Sequence, residues 1–499
     1  MNAPCATLEP VTDLASPRPS PGGVPDPGLT ADELAAATAG RLLARSSRLV
    51  LGGAADSREV VAGNLFVALP GERTDGHRFI GEAIAAGAAA VLVAAPPETP
   101  LPVDANVTVV QVDDTLRGLQ AIAAQWRARF DPLVVGVTGS IAKTSAKEAI
   151  ATVLAAVLVT LKNEGNKNNE IGLPLTLMRL RPDHQAAVLE MGMYTGGEIA
   201  ELAEMARPEV GVVTAVQPVH LSRIGTIEAV ERAKGELVEA LPSDGVAVLN
   251  ADDERVRRMA KRTSARVVTY GFAADADVRA EAVESAGLDG MRFTLVAAGE
   301  RRDAAIPGLG RLAVHNALAA AAVGLAAGLD AGSVVTALGR GWSAPHRGAI
   351  VRAGGVTIVD DAYNASPSSV EAALELLAGL PGRRIAVLGE MLELGPEHEA
   401  GHERVGAVAA AVVDRLIVIG DGAIGIASGA RAAGIQSGRI EVVADRAAAL
   451  AHLLDALAPG DVVLVKASRG IALDLLVEDL RNVLESGAGG RAVARDAGR

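Results

Sequence analysis

Cysteine, aromatic residues and positive net charge are all scarce in this chain of 499 residues. The one cysteine, Cys5, excludes a disulfide framework and gives no sign of thiolate chemistry, which is typical of a reducing compartment. With 2% aromatic residues and a formal net charge of -13, the sequence has no basic, aromatic-rich segment that would hold a polyanion. We therefore expect no nucleic-acid partner, although a small anionic nucleotide needs only a few aimed N–H groups and cations.

Long apolar segments are also absent. The longest, such as residues 83–95, are rich in alanine and are shorter than the about 18 residues that a membrane-spanning helix needs. No basic segment followed by an apolar core stands at the N-terminus, so we predict neither a signal peptide nor membrane insertion. Together with the lone cysteine, these absences predict a cytoplasmic protein.

Small and aliphatic residues are what the sequence has in quantity. Hydrophobic residues make up 49% of the chain, so alanine, valine, leucine and isoleucine must build the cores, while 55 glycines supply turns. The length exceeds what one hydrophobic core supports and suggests three domains. Both observations favour layers of helices and strands.

We predict three α/β domains between two unstructured ends. Residues 1–30 form a disordered leader rich in proline and glycine, and residues 486–499 form a disordered tail. Between them, short apolar strands alternate with alanine-rich helical stretches. This pattern predicts an N-terminal domain over 31–113, a central domain over 114–342 and a C-terminal domain over 343–485.

The central domain is predicted to be a P-loop domain whose mostly parallel sheet carries helices on both faces. It begins with the strand PLVVGVTGS and the helical segment KTSAKEAIATVLAAVL, and its later strands AAVLEMG, VGVVTAV and GVAVLNADD alternate with helices. In the C-terminal domain, the strands VTIVDDA, RIAVLGEM, RLIVIG and DVVLVKAS indicate a Rossmann-like α/β fold.

A candidate phosphate loop lies between the first strand and the first helix of the central domain. Its residues are Gly139, Ser140, Ile141, Ala142, Lys143, Thr144 and Ser145. Backbone N–H groups would face the phosphates, Lys143 would neutralise terminal oxygens and the Thr144 hydroxyl would bind Mg2+. The alternative is an ordinary turn with a solvated lysine. Ala142 stands where such loops normally have glycine, and it is tolerated only if its φ is negative.

Two further polar residues follow strands of the same predicted sheet. Glu190 ends the strand AAVLE, and His220 ends the segment VGVVTAVQPVH. Side chains at the carboxyl edge of a parallel sheet reach the ligand crevice, and a carboxylate oxygen suits Mg2+. The alternatives are a solvent-exposed carboxylate for Glu190 and a structural histidine for His220.

The phosphate loop and the phrase EGNKNNEIGLPLTL that follows it resemble the Mur ligases, and the resemblance covers about residues 50–480. The phrases LEMGMYTGGEIAEL, VHLSRIGTIEAVERAKGE and VLNADD resemble the central ATP domain of that family. The N-terminal DSREVVAGNLFVALPGERTDGHRF resembles its UDP-muramoyl-binding domain. In the C-terminal domain, DDAYNASPSSVEAAL and VLGEMLELGPEHEAGH resemble the members that add D-alanyl-D-alanine.

The resemblance implies an ATP-dependent ligase that joins D-alanyl-D-alanine to UDP-N-acetylmuramoyl-tripeptide through an acyl phosphate, the final cytoplasmic step in making the peptidoglycan precursor. ATP and Mg2+ are the implied cofactors, and we expect a monomer. The implied catalytic residues are Lys143, Glu190, His220 and Lys234. The implied metal ligands are Thr144, Glu190, His220 and a carbamylated Lys234. A plain lysine on the surface of a helix is the alternative for Lys234.

The same resemblance implies the binding residues. For ATP, these are the phosphate loop 139–145 with Asn316, Arg347, Asp361, Tyr363 and Asn364, in a segment that includes Pro367. For the other substrates, these are Ser57, Arg58, Asp75, Gly76, His77, Asn168, Asn169, Lys466, Ser468 and Arg469. Loop-forming asparagines and surface basic residues are the alternatives. The stretch GRLAV before His315 lacks the His-Asn pair that the family usually has after the glycine.

Two other functions stay open at this point. One is another amide ligase of the same architecture, such as a folylpolyglutamate synthetase or the enzyme that adds the third muramoyl residue. The other is a non-catalytic nucleotide-binding homologue, in which Ala142 and the altered GRLAV stretch mark a decayed site. The retained residues favour a working ligase, because metal-assisted phosphoryl transfer needs these groups: Lys143, Thr144, Glu190, His220 and Lys234.

Overall fold

The computed structural model of the protein describes residues 28–71, 74–97, 105–218 and 221–486. Most of the predicted leader and all but Ser486 of the predicted tail lie outside the described residues, so their disorder stays a prediction. The predicted metal ligand His220 also lies outside the described residues. None of the helices formed by the described part of the chain is long and apolar enough to cross a membrane.

The N-terminal sheet has five strands in the order β1-β5-β4-β3-β2, and all neighbours are parallel except β1 and β5. Helix α1 begins with a capping box in which Thr30 and Glu33 satisfy each other's backbone N–H groups. The strands are β1 Arg41–Ala44, β2 Gly52–Ala54, β3 Asn64–Val67, β4 Ala90–Val93 and β5 Thr108–Gln111, and the helices are α1 Ala31–Thr38, α2 Ile80–Ala85 and α3 Thr115–Arg127.

The central sheet has nine strands in the order β14-β13-β12-β11-β10-β9-β6-β8-β7. It is parallel from β7 to β12, and β12, β13 and β14 add antiparallel pairs at one edge. The strands are β6 Leu133–Thr138, β7 Thr160–Lys162, β8 Ala186–Glu190, β9 Val210–Val213, β10 Val246–Asn250, β11 Arg266–Gly271, β12 Val278–Ser285, β13 Met291–Ala297 and β14 Glu300–Ile306. The helices are α4 Lys143–Leu154, α5 Gly172–Leu177, α6 Glu198–Ala206, α7 Leu221–Ile224, α8 Ile227–Glu239, α9 Glu254–Arg258, α10 Gly310–Ala326 and α11 Ala331–Gly339.

The C-terminal sheet has six strands in the order β15-β16-β20-β17-β18-β19, parallel except for β15. Its helices α13 and α14 pack against each other on one face. The strands are β15 Ala349–Ala353, β16 Val356–Asp360, β17 Arg384–Gly389, β18 Arg415–Ile419, β19 Ile440–Val443 and β20 Val462–Lys466, and the helices are α12 Pro367–Ala378, α13 His398–Val412, α14 Ile424–Ala432, α15 Arg446–Ala456 and α16 Asp474–Glu485.

The predicted α/β class and the mostly parallel central sheet are confirmed. The strands β6, β8, β9 and β10 fall within the segments predicted as strands, and they are completely buried because helices cover both faces of the sheet. The antiparallel β13 and β14 did not stand out in the sequence, since five of the seven β14 residues are exposed. The domain boundaries stay predictions.

The sheet order brings functional loops together. Strands β8, β6 and β9 are neighbours and run the same way, so the segments that follow their carboxyl ends lie side by side. In the C-terminal sheet, β16, β20 and β17 are likewise neighbours, and the segments after them begin at Asp361, Ala467 and Glu390. The candidate site is formed by these segments.

Two glycines let helices α13 and α14 approach closely. A Cβ atom at Gly406 would lie 1.9 Å from the carbonyl oxygen of Ile426, and one at Gly429 would lie 1.9 Å from the carbonyl oxygen of Glu403. Both distances are far below van der Waals contact with backbone atoms, so the helices would have to move apart. The packing of this helix pair therefore depends on the absence of side chains.

We expect Gly406→Ala to lower the melting temperature of the C-terminal domain by several degrees, because overpacking costs roughly 1–3 kcal/mol. Calorimetry combined with hydrogen exchange of α13 and α14 would measure the effect. Gly81→Ala in α2 is the matched control, because no atom lies within 4 Å of the Cβ position there. It should be neutral or slightly stabilising. Equal melting temperatures for the two variants would contradict the packing argument.

Candidate active site

A cavity of about 920 Å³ lies between the carboxyl edge of the central sheet and the C-terminal domain. The structure brings most of the predicted site residues to it. Those that line the cavity are Ser140, Ile141, Ala142, Lys143, Thr144, Ser145, Asn168, Asn169, Glu190, Asn316, Arg347, Asp361, Tyr363, Asn364, Lys466, Ser468 and Arg469. Residues from two domains thus face one space, which is typical of a ligand site.

The phosphate loop is fixed to the end of strand β9. Gly139 has φ 147°, and a Cβ atom there would lie 2.0 Å from Thr214 Oγ1, so only glycine fits. Thr214 Oγ1 donates a hydrogen bond of 2.6 Å to the carbonyl oxygen of Ile141. Ser140 Oγ donates to the carbonyl oxygen of Gln217 and accepts a bond from its N–H, at 3.1 and 2.9 Å. The loop is therefore held before any ligand binds.

Lys143 is the first residue of helix α4, and its ammonium group is ordered by the loop. Its Nζ donates to the carbonyl oxygen of Gly139 at 2.8 Å. Burial lowers the pKa of Lys143 below its usual value; the Glu190 carboxylate opposes this effect, and the Arg347 charge adds to it. The ammonium group is thus bonded to the loop rather than simply solvated, while its contact with a phosphate stays a prediction.

Ala142 has φ 64° and ψ 0°, in the left-handed region. The negative φ that would make alanine unstrained is not adopted, because Ala142 is the residue at which the loop turns into helix α4. Its carbonyl oxygen accepts the first helical hydrogen bond, from the N–H of Ala146 at 2.8 Å. Alanine is thus strained at this position, because the backbone adopts the left-handed conformation that glycine favours.

Glu190 is buried, with 2% of its surface exposed, so the solvent-exposed alternative is wrong. Its Oε2 accepts a hydrogen bond of 2.7 Å from Thr144 Oγ1, and its Oε1 accepts one of 2.7 Å from Asn168 Nδ2. Asn169 does not share this role: its Oδ1 accepts from the N–H of Gly172 and supports the start of α5, which fits the loop-forming alternative.

Two residues that the sequence did not single out hold Glu190 in place. Asn163 is completely buried and bonds both to the N–H and to the carbonyl oxygen of Glu190, at 2.9 and 3.0 Å. Lys147 is also completely buried; its Nζ donates to the carbonyl oxygen of Asn163 and pairs with Glu148. The position of Lys147 one helical turn after Lys143 was the only signal for this support.

Lys234 lies on helix α8 with 1% of its surface exposed, so the surface-lysine alternative is wrong. Its pKa is lowered well below the usual value, first by burial and then by the charge of Lys143; the carboxylates of Glu190, Glu236 and Glu198 oppose the shift. Among the described residues, none forms a hydrogen bond with its Nζ. As the pH rises, this buried amine therefore loses its proton at a lower pH than an ordinary lysine does.

The C-terminal domain contributes a set of cations and one aromatic ring. Lys466 has 3% of its surface exposed and donates to Asp361 Oδ2 at 2.6 Å and to the carbonyl oxygen of Asn364 at 2.8 Å. The guanidinium carbon of Arg347 lies 4.0 Å above the ring centre of Tyr363, and that of Arg469 lies 5.4 Å from it. Arg469 is exposed, as the surface alternative expects.

Ser468 positions a loop that lines the cavity. Its Oγ accepts a hydrogen bond of 2.8 Å from the N–H of Leu392, and its own N–H donates to the carbonyl oxygen of Glu390. Its role is thus in the loop after β17, and any contact with a ligand stays a prediction.

Asn316 lies on helix α10 and faces the cavity with 5% of its surface exposed. Within residues 28–71, 74–97, 105–218 and 221–486, no side chain or backbone group forms a hydrogen bond with its amide. A buried amide without a partner is costly unless a ligand satisfies it. Asn316 is therefore suited to hold the base of a nucleotide, although the neighbouring Leu312 and Ala313 are apolar.

The residues predicted to bind the UDP-sugar lie in the N-terminal domain and do not line the cavity. Ser57 Oγ donates to Glu82 at 3.0 Å, and the Arg58 guanidinium pairs with Asp56 at 2.6 Å and lowers the pKa of Asp56 to about 2. His77 Nδ1 lies 2.7 Å from Asp75 Oδ1.

Gly76 in the same segment has no room for a side chain, because a Cβ atom there would lie 2.8 Å from the Leu69 backbone. The segment is thus well defined, but UDP binding by these five residues stays a prediction.

Relatives of this chain share its three-part organisation. Family models match residues 53–127 as the Mur ligase family catalytic domain, 137–324 as the Mur ligase middle domain and 346–469 as the Mur ligase glutamate ligase domain. A Mycobacterium tuberculosis relative named UDP-N-acetylmuramoyl-tripeptide–D-alanyl-D-alanine ligase is 41% identical over 471 residues, which span 85% of this chain and 91% of the relative. The chain belongs to the Mur ligase family.

Solved structures of other Mur ligases agree with this assignment. MurF from Acinetobacter baumannii has a TM-score of 0.81 and 28% identity, and the match covers 91% of this chain and 100% of that one. MurF from Thermotoga maritima, solved with ADP, has a TM-score of 0.76 and 29% identity, with 87% and 98% covered. The fold of this Mur ligase is thus the fold of proteins that bind a nucleotide.

The oxygen donors of the site fit Mg2+. Thr144 supplies a hydroxyl and Glu190 a carboxylate, and their oxygens lie 2.7 Å apart. The described part of the chain contains no group of three or more His, Cys, Asp or Glu side chains that could hold a metal by itself. Mg2+ is usually held by one or two carboxylates together with substrate phosphates and water, so this sparse set suits it.

The strain at Ala142 can be tested directly. We expect Ala142→Gly to be neutral or stabilising by up to about 1 kcal/mol, because relief of the left-handed conformation outweighs the entropy that glycine costs. Ala407→Gly, at an exposed position of α13, is the matched control and should destabilise by about 1 kcal/mol. Thermal unfolding measures both variants. A loss of stability in Ala142→Gly as large as in the control would show that Ala142 is unstrained.

Proposed function

We propose that this Mur ligase joins D-alanyl-D-alanine to UDP-N-acetylmuramoyl-tripeptide with hydrolysis of ATP to ADP and phosphate. The observation that carries the proposal is one cavity in which a phosphate loop, a buried carboxylate and the cations of a second domain face each other. The names of the relatives identify the substrates, and the phosphate loop and the unpartnered Asn316 suit ATP. The protein acts as a monomer in the cytoplasm.

The three domains divide the work in this proposal. Residues 31–113 hold the UDP-muramoyl end, residues 114–342 hold ATP, and residues 343–485 receive the dipeptide. An ion pair of 2.9 Å between Glu59 and Lys167 joins the N-terminal domain to the loop that carries Asn168. Contacts far from the reacting carboxylate then orient it for the reaction.

The first step transfers the γ-phosphoryl group of ATP to the terminal carboxylate of the tripeptide. Both reactants are anions, so the site must offset their repulsion. Lys143 and Arg347 are close enough for the charge of Arg347 to lower the pKa of Lys143, and both line the cavity. When Mg2+ is bound by Thr144 and Glu190, it neutralises phosphate oxygens and organises the transfer.

The second step is attack of the dipeptide amine on the acyl phosphate, which forms the amide bond and releases phosphate. The amine must arrive uncharged and correctly oriented. The Asp361–Lys466 pair and the exposed Arg469 are among the charged groups of the C-terminal domain that line the cavity. Arg469 is suited to the dipeptide carboxylate, because a guanidinium binds a carboxylate with two parallel hydrogen bonds.

The function is tested by phosphate release from Mg-ATP and UDP-N-acetylmuramoyl-tripeptide, with and without D-alanyl-D-alanine, and by the mass of the product. We expect release to depend on the dipeptide and the product to have the mass of the pentapeptide. Glu190→Gln should keep the hydrogen bond from Thr144 but lower kcat at least about 100-fold, because the charge is lost. ATP binding without any ligation would instead support a non-catalytic homologue.

Lys234 is proposed to carry a carbamate formed with carbon dioxide. Only the neutral amine reacts, and the lowered pKa of Lys234 makes that form available. The modification would replace a buried cation next to Lys143 by an anion with oxygen donors, which suits a site for Mg2+.

The carbamate should be visible by carbon NMR after addition of labelled bicarbonate, and it should be absent in Lys234→Arg. Because the pKa of Lys234 is lowered and only the neutral amine reacts, the signal should strengthen as the pH rises and should appear at a lower pH than for an ordinary lysine. Lys261 is exposed and provides the matched control, because Lys261→Arg should leave the carbamate signal unchanged. Failure to find a signal at any pH would argue for an unmodified lysine.

A further inference from the structure

The connector between α11 and β15 contains a turn whose geometry is unusual for its sequence. The N–H of Arg347 donates to the carbonyl oxygen of Ala344 at 3.2 Å, which closes a four-residue turn. Pro345 is the second residue of that turn, and His346 is the third, with φ 57°. A turn with proline at the second position and positive φ at the third favours glycine or asparagine there, and histidine is strained.

The strained histidine is attached twice, to the last residue of strand β16 and to the segment that follows it. Its Nδ1 lies 2.8 Å from Oδ2 of Asp360, and its carbonyl oxygen accepts a hydrogen bond of 3.0 Å from the N–H of Tyr363. Asp360 has 4% of its surface exposed, and its other oxygen accepts a bond from the N–H of Ala362. A buried carboxylate in this setting needs a donor, and the imidazole N–H supplies it.

The residue after His346 is Arg347, which the phosphoryl transfer requires in the proposed function. The turn places its guanidinium 4.0 Å above the Tyr363 ring, on the same segment to which His346 is attached. In this position its charge acts on Lys143 across the cavity. The turn, the Tyr363 ring and the Arg347 guanidinium are therefore held together, and the His346–Asp360 hydrogen bond anchors them.

We propose that His346 is a positioning residue whose hydrogen bond to Asp360 holds Arg347 over Tyr363 and directs its guanidinium to the transferred phosphoryl group. The proposal rests on the proposed ligase function. The backbone turn alone does not account for a histidine, since glycine would adopt the same φ without strain. The side chain is thus kept for its bond to Asp360, which ties the connector to the C-terminal sheet.

The test compares two substitutions that both accept positive φ. His346→Gly keeps the turn and removes the donor. His346→Asn also tolerates this φ, and its Nδ2 stands at the δ position, as His346 Nδ1 does, so it can still donate to Asp360. With all substrates saturating, we expect His346→Gly to lower kcat about 10-fold, the equivalent of one hydrogen bond, while His346→Asn stays within about threefold of the wild type.

A double-mutant cycle distinguishes positioning from general stabilisation. In an Arg347→Ala background, His346→Gly should have no further effect on kcat, because the residue that it positions is gone. The KM for UDP-N-acetylmuramoyl-tripeptide should not change in either single variant at His346. Additive losses, or equal kcat values for His346→Gly and the wild type, would overturn the proposal.

A binding measurement separates this proposal from the ligase function itself. Affinity for a non-hydrolysable ATP analogue with Mg2+ needs no ligation, and it should fall about fivefold in His346→Gly and not in His346→Asn. If the wild type and the two variants show these relative affinities but the wild type makes no pentapeptide, the proposed ligase function is wrong and the positioning role of His346 stands. If the wild type ligates and His346→Gly binds the analogue normally with normal kcat, the positioning role is wrong.

Discussion

Excess positive charge in a poorly solvated space is the constraint on which the site depends. Burial lowers the pKa of both Lys143 and Lys234; the charge of Lys143 adds to the shift at Lys234, and the charge of Arg347 adds to the shift at Lys143. Glu190 is the carboxylate that opposes both lysine shifts, and its oxygens are already bonded to Thr144 and Asn168. Such a site is incomplete without anions, because buried charge of one sign is costly until a partner arrives. The phosphates of ATP and the carboxylate of the tripeptide are partners of the required sign.

The order of the parallel strands accounts for this distribution of charges. Strands β6, β8 and β9 end side by side, so the phosphate loop, Glu190 and the segment at Gln217 meet at one edge. Asn163 and Lys147 then fix the backbone of Glu190 from behind. The C-terminal sheet repeats the arrangement: the end of β20 supplies the cations Lys466 and Arg469, and the end of β16 supplies Asp361, which pairs with Lys466.

The sequence predicted those parts of the site that depend on local pattern. A buried strand followed by a glycine turn and a helix located Lys143, and the end of a strand located Glu190. Both could be found because hydrophobic periodicity and strand ends are recognised from neighbouring residues. The burial of Lys234 was predictable too: it shares a helical stripe with Val230, Ala233, Leu237 and Val238, all buried. Asn163, Lys147 and His346 were not predictable, because each acts through a partner 14 to 27 residues away that only tertiary packing brings close. The positive φ at Ala142 likewise follows from the loop path and not from the residue type.

The hydrophobic cores are shared differently across the two domain boundaries. One core is continuous from N-terminal residues such as Leu65 and Leu92 to central residues such as Leu173 and Leu189, so these two domains behave as one body. The C-terminal domain has cores of its own, and among the described residues of the central domain it is Leu288 and Leu309 that pack against them. Apolar packing across this boundary is thus sparser than across the boundary between the N-terminal and central domains, and sparse packing between domains permits relative motion. The connector that carries His346 is the covalent link across that boundary, and the His346–Asp360 hydrogen bond holds Arg347 on the side of the C-terminal domain.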